Sequence, residues 1–223
     1  MGIGNAAAFV ARAVRMIVTA TRISIFPLPG AVLYPGLQLP LHIFEPRYRA
    51  MISDALARDR MIGMIQPQRP QEGAPLFDLG CLGRIGEVEA LPDGRYNIVL
   101  EGQARFRILR ELDVTTPFRQ VEAELIEEPE DECLSAVERA SFEREAQHFA
   151  ELQGYSVDWQ AVTRLDDVSL INGVAQIVPF DPASKQALLE CPDLATRCEL
   201  LVQFFQFFGH RGELDDDSGS TLQ

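Results

Sequence analysis

Lysine is almost absent from this sequence, since Lys185 stands alone against nineteen arginines. A P-loop requires G-x-x-x-x-G-K-[ST], and the lysine here follows a serine, so P-loop ATPase chemistry is excluded. A serine–lysine dyad would have to pair Lys185 with Ser184 in the first turn of a predicted helix, where capping better explains the serine. The sequence also lacks G-x-G-x-x-G after a strand, H-E-x-x-H and G-x-S-x-G motifs, which leaves dinucleotide, zinc-protease and nucleophile-elbow sites without support.

Histidine and cysteine are scarce as well. His42, His148 and His210 lie far apart, and no two of them share helical spacing. The pattern Glu145-x-x-His148 is half of a di-iron site, which needs a second copy and two further glutamates. The four cysteines form no C-x-x-C pair, which favours reduced thiols in a cytoplasmic protein over a zinc site. We therefore predict no metal, no cofactor and no catalytic residue.

Long apolar runs are missing. Residues 1–20 are rich in small apolar side chains, but Arg12 and Arg15 interrupt them. A signal peptide places its positive charge first, and a membrane-spanning helix needs roughly 18–20 apolar residues in succession. We therefore predict no membrane segment and interpret residues 1–22 as an N-terminal extension, with Met16 as an alternative native start.

The net charge of −13 is unevenly distributed. Residues 1–120 carry +3, from 14 arginines and 11 acidic residues, whereas residues 121–223 carry −16, from 6 basic and 22 acidic residues. This asymmetry predicts two units with different surfaces and a boundary near residues 120–130. An acidic chain repels phosphate backbones, so nucleic acid is an unfavoured partner.

Hydrophobic periodicity predicts an α+β protein with a mostly β first part and an all-helical second part. Alternation over residues 96–108 predicts a long strand with its apolar residues on one face, and Gly102 within it is typical of a kink at a barrel corner. One helix is predicted at residues 45–59. After residue 127 the period is helical, with helices at Cys133–Leu152, after Asp167, after Asp181-Pro182, and from Asp193 to about Gly209. The predicted units are a barrel over residues 23–127, a helical bundle over 128–211 and a disordered acidic tail over 212–223.

Several motifs resemble the N-terminal, substrate-binding domain of Lon proteases, in its stand-alone form. They keep that family's order and spacing over roughly residues 23 to 208: FPLP at 26–29, LYPGLQLPL at 33–41, IFEPRYR at 43–49, LGCLGRI at 79–85, LPDG at 91–94, LEGQARF at 100–106, KQALLE at 185–190 and residues 197–201. The resemblance implies a PUA-like β-barrel followed by a helical bundle.

In full-length Lon this domain precedes an AAA+ ATPase and a serine–lysine protease, and it helps recognise unfolded or tagged substrates. The present sequence shows neither of those domains, so the resemblance implies no ATP use, no proteolysis and no catalytic residue. The motif residues themselves look structural: Pro35, Gly36, Pro40, Glu45 and Arg47 suit turns, a helix start and a charge pair.

The leading hypothesis is thus a non-catalytic module that binds unfolded polypeptide or a specific protein partner. Its predicted contacts are Tyr34 and, on an apolar face of the last helix, Phe204 and Phe207. One alternative is an RNA-binding PUA-like protein that uses Arg105, Arg107 and Arg110, which alternation places mostly on the solvent face of the long strand. Another is an unrecognised hydrolase, which would need a pocket holding a histidine with two carboxylates or a serine. The oligomeric state stays open.

Overall fold

The computed structural model describes residues 20–129 and 132–217, with side chains as far as Gly209. Six strands occur in that part of the chain: β1 (Thr21–Pro27), β2 (Gln38–Ile43), β3 (Met61–Ile65), β4 (Leu79–Ala90), β5 (Tyr96–Glu111) and β6 (Gln120–Leu125). It also contains six helices: α1 (Pro46–Leu56), α2 (Ala136–Leu152), α3 (Trp159–Val162), α4 (Asp167–Ile177), α5 (Pro182–Glu190) and α6 (Leu194–Asp217).

Five strands close into a barrel. β1 pairs in parallel with β3 and antiparallel with β6, while β3–β4, β4–β5 and β5–β6 are antiparallel pairs that complete the ring. β2 pairs with the first half of β5 outside this ring. The length of β5 allows this double role, since its first half carries β2 and its second half carries β6.

The barrel has separate inner and outer apolar surfaces. The inner cluster draws on all five closing strands and is made of Ile23, Ile25, Ile65, Leu82, Phe106, Val121 and Ala123. The outer cluster joins α1 to the opposite faces of β1, β3, β4 and β5, through residues such as Met51, Ile52, Ile62, Ile98 and Leu100. Both faces of several strands are therefore buried, which explains their nearly continuous apolar sequences.

A β-bulge in β5 reverses which of its alternating side chains point outward and which point into the barrel. Leu82 lies opposite Ala104 and Gly83 lies opposite Gly102, so Gln103 is one extra residue on β5. Before the bulge, Leu100 faces the outer cluster, whereas Phe106 beyond it faces the barrel interior. The sequence prediction that the apolar residues of this strand share one face is wrong, because a single inserted residue exchanges the two faces.

Gly102 adjoins this bulge at a place without room for a side chain. A Cβ there would lie well inside van der Waals contact of the Tyr34 carbonyl oxygen and 2.7 Å from its carbonyl carbon. Gly102→Ala should therefore lower the free energy of unfolding by about 1–3 kcal/mol, because backbone rather than a flexible side chain must move.

Urea denaturation followed by circular dichroism measures this effect, and Gly173→Ala supplies the control. Gly173 lies within α4 and a Cβ added there meets nothing within 4 Å, so alanine should stabilise the protein by about 0.5–1 kcal/mol. Equal, small effects of both changes would contradict the close approach of Gly102 to Tyr34.

The helices begin where side chains cap them. Ser135 and Glu138 form a capping box at α2, so this helix starts at Ala136 rather than at the predicted Cys133. Asp166, not Asp167, caps α4. Asp181 accepts hydrogen bonds from the first turn of α5, as predicted.

The first strand and the last helix both extend beyond the residues predicted for them. β1 begins at Thr21, within the predicted N-terminal extension, and residues 1–19 lie outside the described residues. α6 continues to Asp217 instead of ending near Gly209. The disordered acidic tail over residues 212–223 stays a prediction. Residues 218–223 lie outside the described residues.

The helical unit (α2–α6) packs directly on the barrel. Tyr34, Val32 and Leu79 from the barrel side share one core with residues of α2, α4, α5 and α6. The buried amide of Gln186 on α5 donates to the Leu79 carbonyl at 3.0 Å and accepts from Gln66 at 3.2 Å. A shared apolar core with satisfied buried amides fixes the two units against each other.

Candidate functional site

Tyr34, a predicted peptide contact, is fully buried. Its ring is 0% exposed and lies 5.1 Å from the guanidinium of Arg197, which is itself 4% exposed. Burial raises the pKa of the Tyr34 hydroxyl far above its usual value. The prediction that Tyr34 presents an exposed apolar surface is wrong, because the helical unit covers it.

The two phenylalanines of α6 have different surroundings. Phe204 is half-buried and packs edge-on against Phe180 at 5.4 Å between ring centroids. Phe207 is 59% exposed and contacts Phe208 at 5.1 Å. Only Phe207 of the three predicted contacts presents most of its side chain to solvent, and a role for it in binding stays a prediction.

The three arginines of β5 do not form a common solvent face. Arg105 is 4% exposed and is covered by the helical unit, so its predicted exposure is wrong. Arg107 lies 3.7 Å from Glu124, and Arg110 forms an ion pair with Glu122. The positive charge expected for RNA binding is thus paired with carboxylates or buried.

A large apolar groove lies instead between the helices. It has a volume of about 750 Å³ and is bounded by α2, by α4 and by the segment at residues 153–166, which includes α3. Its floor holds three phenylalanines, with Phe149 stacked on Phe205 at 4.9 Å and Phe142 at 5.8 Å from Phe205. We call this surface the helical groove.

Large apolar side chains at its rim reach solvent. The exposed fractions are 45% for Tyr155, 37% for Val157, 45% for Leu165 and 75% for Ile177. Soluble proteins rarely expose several large apolar side chains around one depression unless that depression serves binding. The helical groove is therefore the candidate functional site.

Arg139, a residue of α2, holds the end of the 153–166 segment and the start of α4 in place beside the helical groove. Its guanidinium donates to the carboxylates of Glu143 and Asp167, both at 2.6 Å, and to the Leu165 carbonyl at 3.1 Å. These bonds tie the connecting segment to α2 and α4. Hydrogen bonds that Asp167 accepts from the Leu134 amide and from Arg139 outweigh its burial and lower the pKa of this carboxyl.

The segment at residues 153–166 was not recognised as part of a site. Gly154, with a φ of 69°, ends the turn after α2, and Asp158 caps the four-residue α3. The helix α3 spans barely one turn, so it has no helical periodicity to recognise. The available signal is the alternation of Tyr155, Val157 and Trp159 with polar residues.

A second depression on the barrel tests the hydrolase hypothesis. It has a volume of about 500 Å³ and is lined by His42, Glu87 and Glu89, a histidine with two carboxylates. However, His42 Nδ1 lies 2.7 Å from the Asn97 amide oxygen, and its Nε2 lies 3.2 Å from Arg95. Both ring nitrogens therefore have partners, and the lining contains no serine, threonine or cysteine nucleophile.

Among the described residues, no group of three or more His, Cys, Asp or Glu side chains is arranged so that it could hold a metal ion. No helix within residues 20–129 and 132–217 has the length and apolar character needed to cross a membrane.

Comparison with known proteins identifies the family. A family model described as the substrate-binding domain of ATP-dependent protease La (LON) matches residues 22–206, a range that contains every residue lining the helical groove. The chain belongs to the Lon substrate-binding domain family. The resemblance seen in the sequence motifs is confirmed.

The curated relatives of this Lon domain are whole proteases. Lon protease 2 from Myxococcus xanthus is 28% identical over 189 residues, which cover 80% of this chain and 23% of that protein. The Lon protease from Roseiflexus castenholzii is 28% identical over 195 residues, covering 82% and 23% respectively. This chain therefore spans about a quarter of the length of these relatives.

Solved structures share the fold of this Lon domain. The Lon N-terminal domain protein from Xanthomonas campestris aligns with a TM-score of 0.61 at 22% identity, covering 82% of this chain and 98% of that one. The N-terminal domain of a Mycobacterium avium complex Lon protease gives a TM-score of 0.59 at 22% identity, covering 83% and 98%. The predicted α+β fold class is confirmed.

Proposed function

We propose that this Lon domain is a non-catalytic module that binds apolar segments of unfolded polypeptide in the helical groove. The observation that carries the proposal is the solvent-exposed apolar rim around a floor of packed phenylalanines. The family description, which names a substrate-binding domain, agrees with it. A cytoplasmic location, inferred from the scarce and unpaired cysteines, is part of the same proposal.

The lining of the helical groove suits the apolar side chains of a bound polypeptide better than it suits catalysis on a substrate. Its volume of about 750 Å³ lies in the range of ligand pockets, which is about 300–1,000 Å³. Glu143 is the one charged side chain among the lining residues, and Arg139 already neutralises it. Binding by an apolar surface of this kind depends on burial of apolar area, worth about 25 cal/mol per Å².

Ile177→Asp should weaken binding of a labelled, permanently unfolded, apolar-rich polypeptide by roughly 10- to 100-fold. An isoleucine buried in a complex contributes about 1.5–3 kcal/mol, and each 1.4 kcal/mol corresponds to a tenfold change in Kd. Because Ile177 is 75% exposed in the free protein, the change should leave the urea midpoint nearly unaltered. Fluorescence anisotropy titration measures the affinity.

Val137→Asp is the matched control. Val137 is 79% exposed and lies in the first turn of α2, away from the groove lining. The substitution therefore adds the same charge to the same unit, and the variant should bind the polypeptide as tightly as the unmodified chain does. If Ile177→Asp binds normally while Phe207→Asp does not, the contact surface is on α6 and the groove assignment is wrong.

The RNA alternative is tested in the same titration with a short single-stranded RNA. We expect no saturable RNA binding, since the arginines of β5 are buried or paired. Binding of RNA that falls steeply with salt, together with no binding of polypeptide, would replace the present proposal.

A further inference from the structure

We infer that the helical groove selects apolar segments flanked by lysine or arginine over the same segments flanked by aspartate or glutamate. This inference rests on the proposed function and adds the chemical class of the preferred substrate. The structural basis is an excess of exposed carboxylates on the helical unit that contains the apolar opening.

Three exposed carboxylates adjoin lining residues in the sequence. Glu151 follows the lining residue Ala150 at the end of α2, Asp158 lies between the lining residues Val157 and Trp159, and Asp166 follows Leu165. A chain that leaves the groove therefore crosses a surface on which carboxylates are in excess.

Hydrogen bonds at two helix starts hold two of these carboxylates in place. Asp166 caps α4, and hydrogen bonds from the backbone and side chain of Ser169 lower the pKa of its carboxyl. Asp158 accepts from the amides of Gln160 and Ala161 as the cap of α3. Helix capping thus fixes the positions of two of the three carboxylates.

Basic side chains of the helical unit do not offset this excess of carboxylates. Between residues 132 and 209 there are 12 acidic and 5 basic residues. Lys185 and Arg197 are buried, Arg139 is bonded to Glu143 and Asp167, and Arg144 lies 3.3 Å from Glu145. Arg164 is exposed near the rim and is outnumbered there.

The physical consequence is selectivity by flanking charge. The apolar contacts hold the central residues of any suitable segment, whereas charges outside the groove interact across water and discriminate between flanks of opposite sign. Such long-range terms are screened by salt, while the apolar contacts are not. Salt therefore separates the two contributions.

The test uses two fluorescent peptides that share one central apolar sequence and carry three lysines or three glutamates at each end. Anisotropy titrations are run at about 0.1 M and about 1 M ionic strength, where the Debye length is about 10 Å and 3 Å. We expect the lysine-flanked peptide to bind about tenfold more tightly at the lower salt, and the difference to vanish at the higher.

Glu151→Lys should narrow this preference at low salt by weakening the lysine-flanked peptide and strengthening the glutamate-flanked one. Its side chain is exposed and accepts from Gln147 at 3.1 Å, so the fold should tolerate the change. Glu87→Lys, an exposed site on β4 of the barrel, controls for net charge and should leave the preference intact.

The outcomes separate this inference from the proposed function. If both peptides bind equally at low salt and Ile177→Asp weakens both, flank selectivity is wrong while polypeptide binding in the groove stands. If the glutamate-flanked peptide binds more tightly, the inference is overturned. If neither peptide binds under any condition, the proposed function fails and the inference fails with it.

Discussion

Replacing Arg105 with alanine should lower the free energy of unfolding by about 3–5 kcal/mol, as measured by urea denaturation. The guanidinium is enclosed between the barrel and the helical unit and donates to the Glu128 carboxylate at 2.7 Å. It also donates to the carbonyls of Leu189 at 3.0 Å and Cys191 at 2.5 Å. Loss of the side chain would remove a donor from each of these acceptors, and the Cys191 carbonyl would keep another, Arg197.

The position of these carbonyls makes the arginine hard to replace. They lie at the end of α5, where the last carbonyls of a helix have no partner within the helix and carry its partial negative charge. Arg197 donates to the Leu188 and Cys191 carbonyls from the other side. Arg105→Lys should therefore recover only part of the loss, since an ammonium cannot reproduce the planar set of donors.

Arg107→Ala provides the matched control on the same strand. The side chain of Arg107 is 51% exposed and lies 3.7 Å from Glu124, so its removal should cost no more than about 1 kcal/mol. Equal losses for the two alanine variants would show that Arg105 is not held in a buried cluster. In that case the arginine face would again be available for RNA.

Much of the fold was accessible from local sequence signals. Pro46 at the first position of α1 and Asp181-Pro182 before α5 mark helix starts by mechanisms that act within one turn. The division into a β part and a helical part follows from periodicity that extends over many residues. The errors at α2 and α4 are of one to three residues, because several polar residues near each start compete to cap it.

The environment of Arg105 was not accessible in the same way. Alternation assumes an unbroken strand, and the inserted Gln103 exchanges the two faces of β5 at the point where the pattern was read. The outer face of the barrel is also covered by a unit that begins some thirty residues later in the chain. A charged side chain on an outward face therefore gave no local sign of burial.

The helical groove depends on packing among elements that are distant in sequence. Phe142, Phe149 and Phe205 could be assigned to helices, but only their mutual contacts create a floor beneath an open rim. Tyr34 shows the converse, since the sequence predicts a surface contact for this loop residue although the helical unit covers it. Exposure of an aromatic residue is a property of tertiary packing and not of its neighbours in sequence.

Phe205→Ala should lower the free energy of unfolding by about 3–5 kcal/mol, because it removes the ring on which the floor of the groove is built. Phe205 is 3% exposed, and its ring centroid lies 4.9 Å from that of Phe149 and 6.3 Å from that of Phe180. Urea denaturation followed by circular dichroism gives the loss, and the binding titration shows whether the remaining folded protein retains affinity.

Ile177→Ala is the control for this change, since it shortens a large apolar side chain at the rim of the same groove. Because Ile177 is 75% exposed, this substitution should alter the free energy of unfolding by no more than about 0.5 kcal/mol while still weakening polypeptide binding. If Phe205→Ala were as mild, the floor would not be a packed core. The groove would then have to form during binding, and the affinity would be reduced by the cost of ordering it.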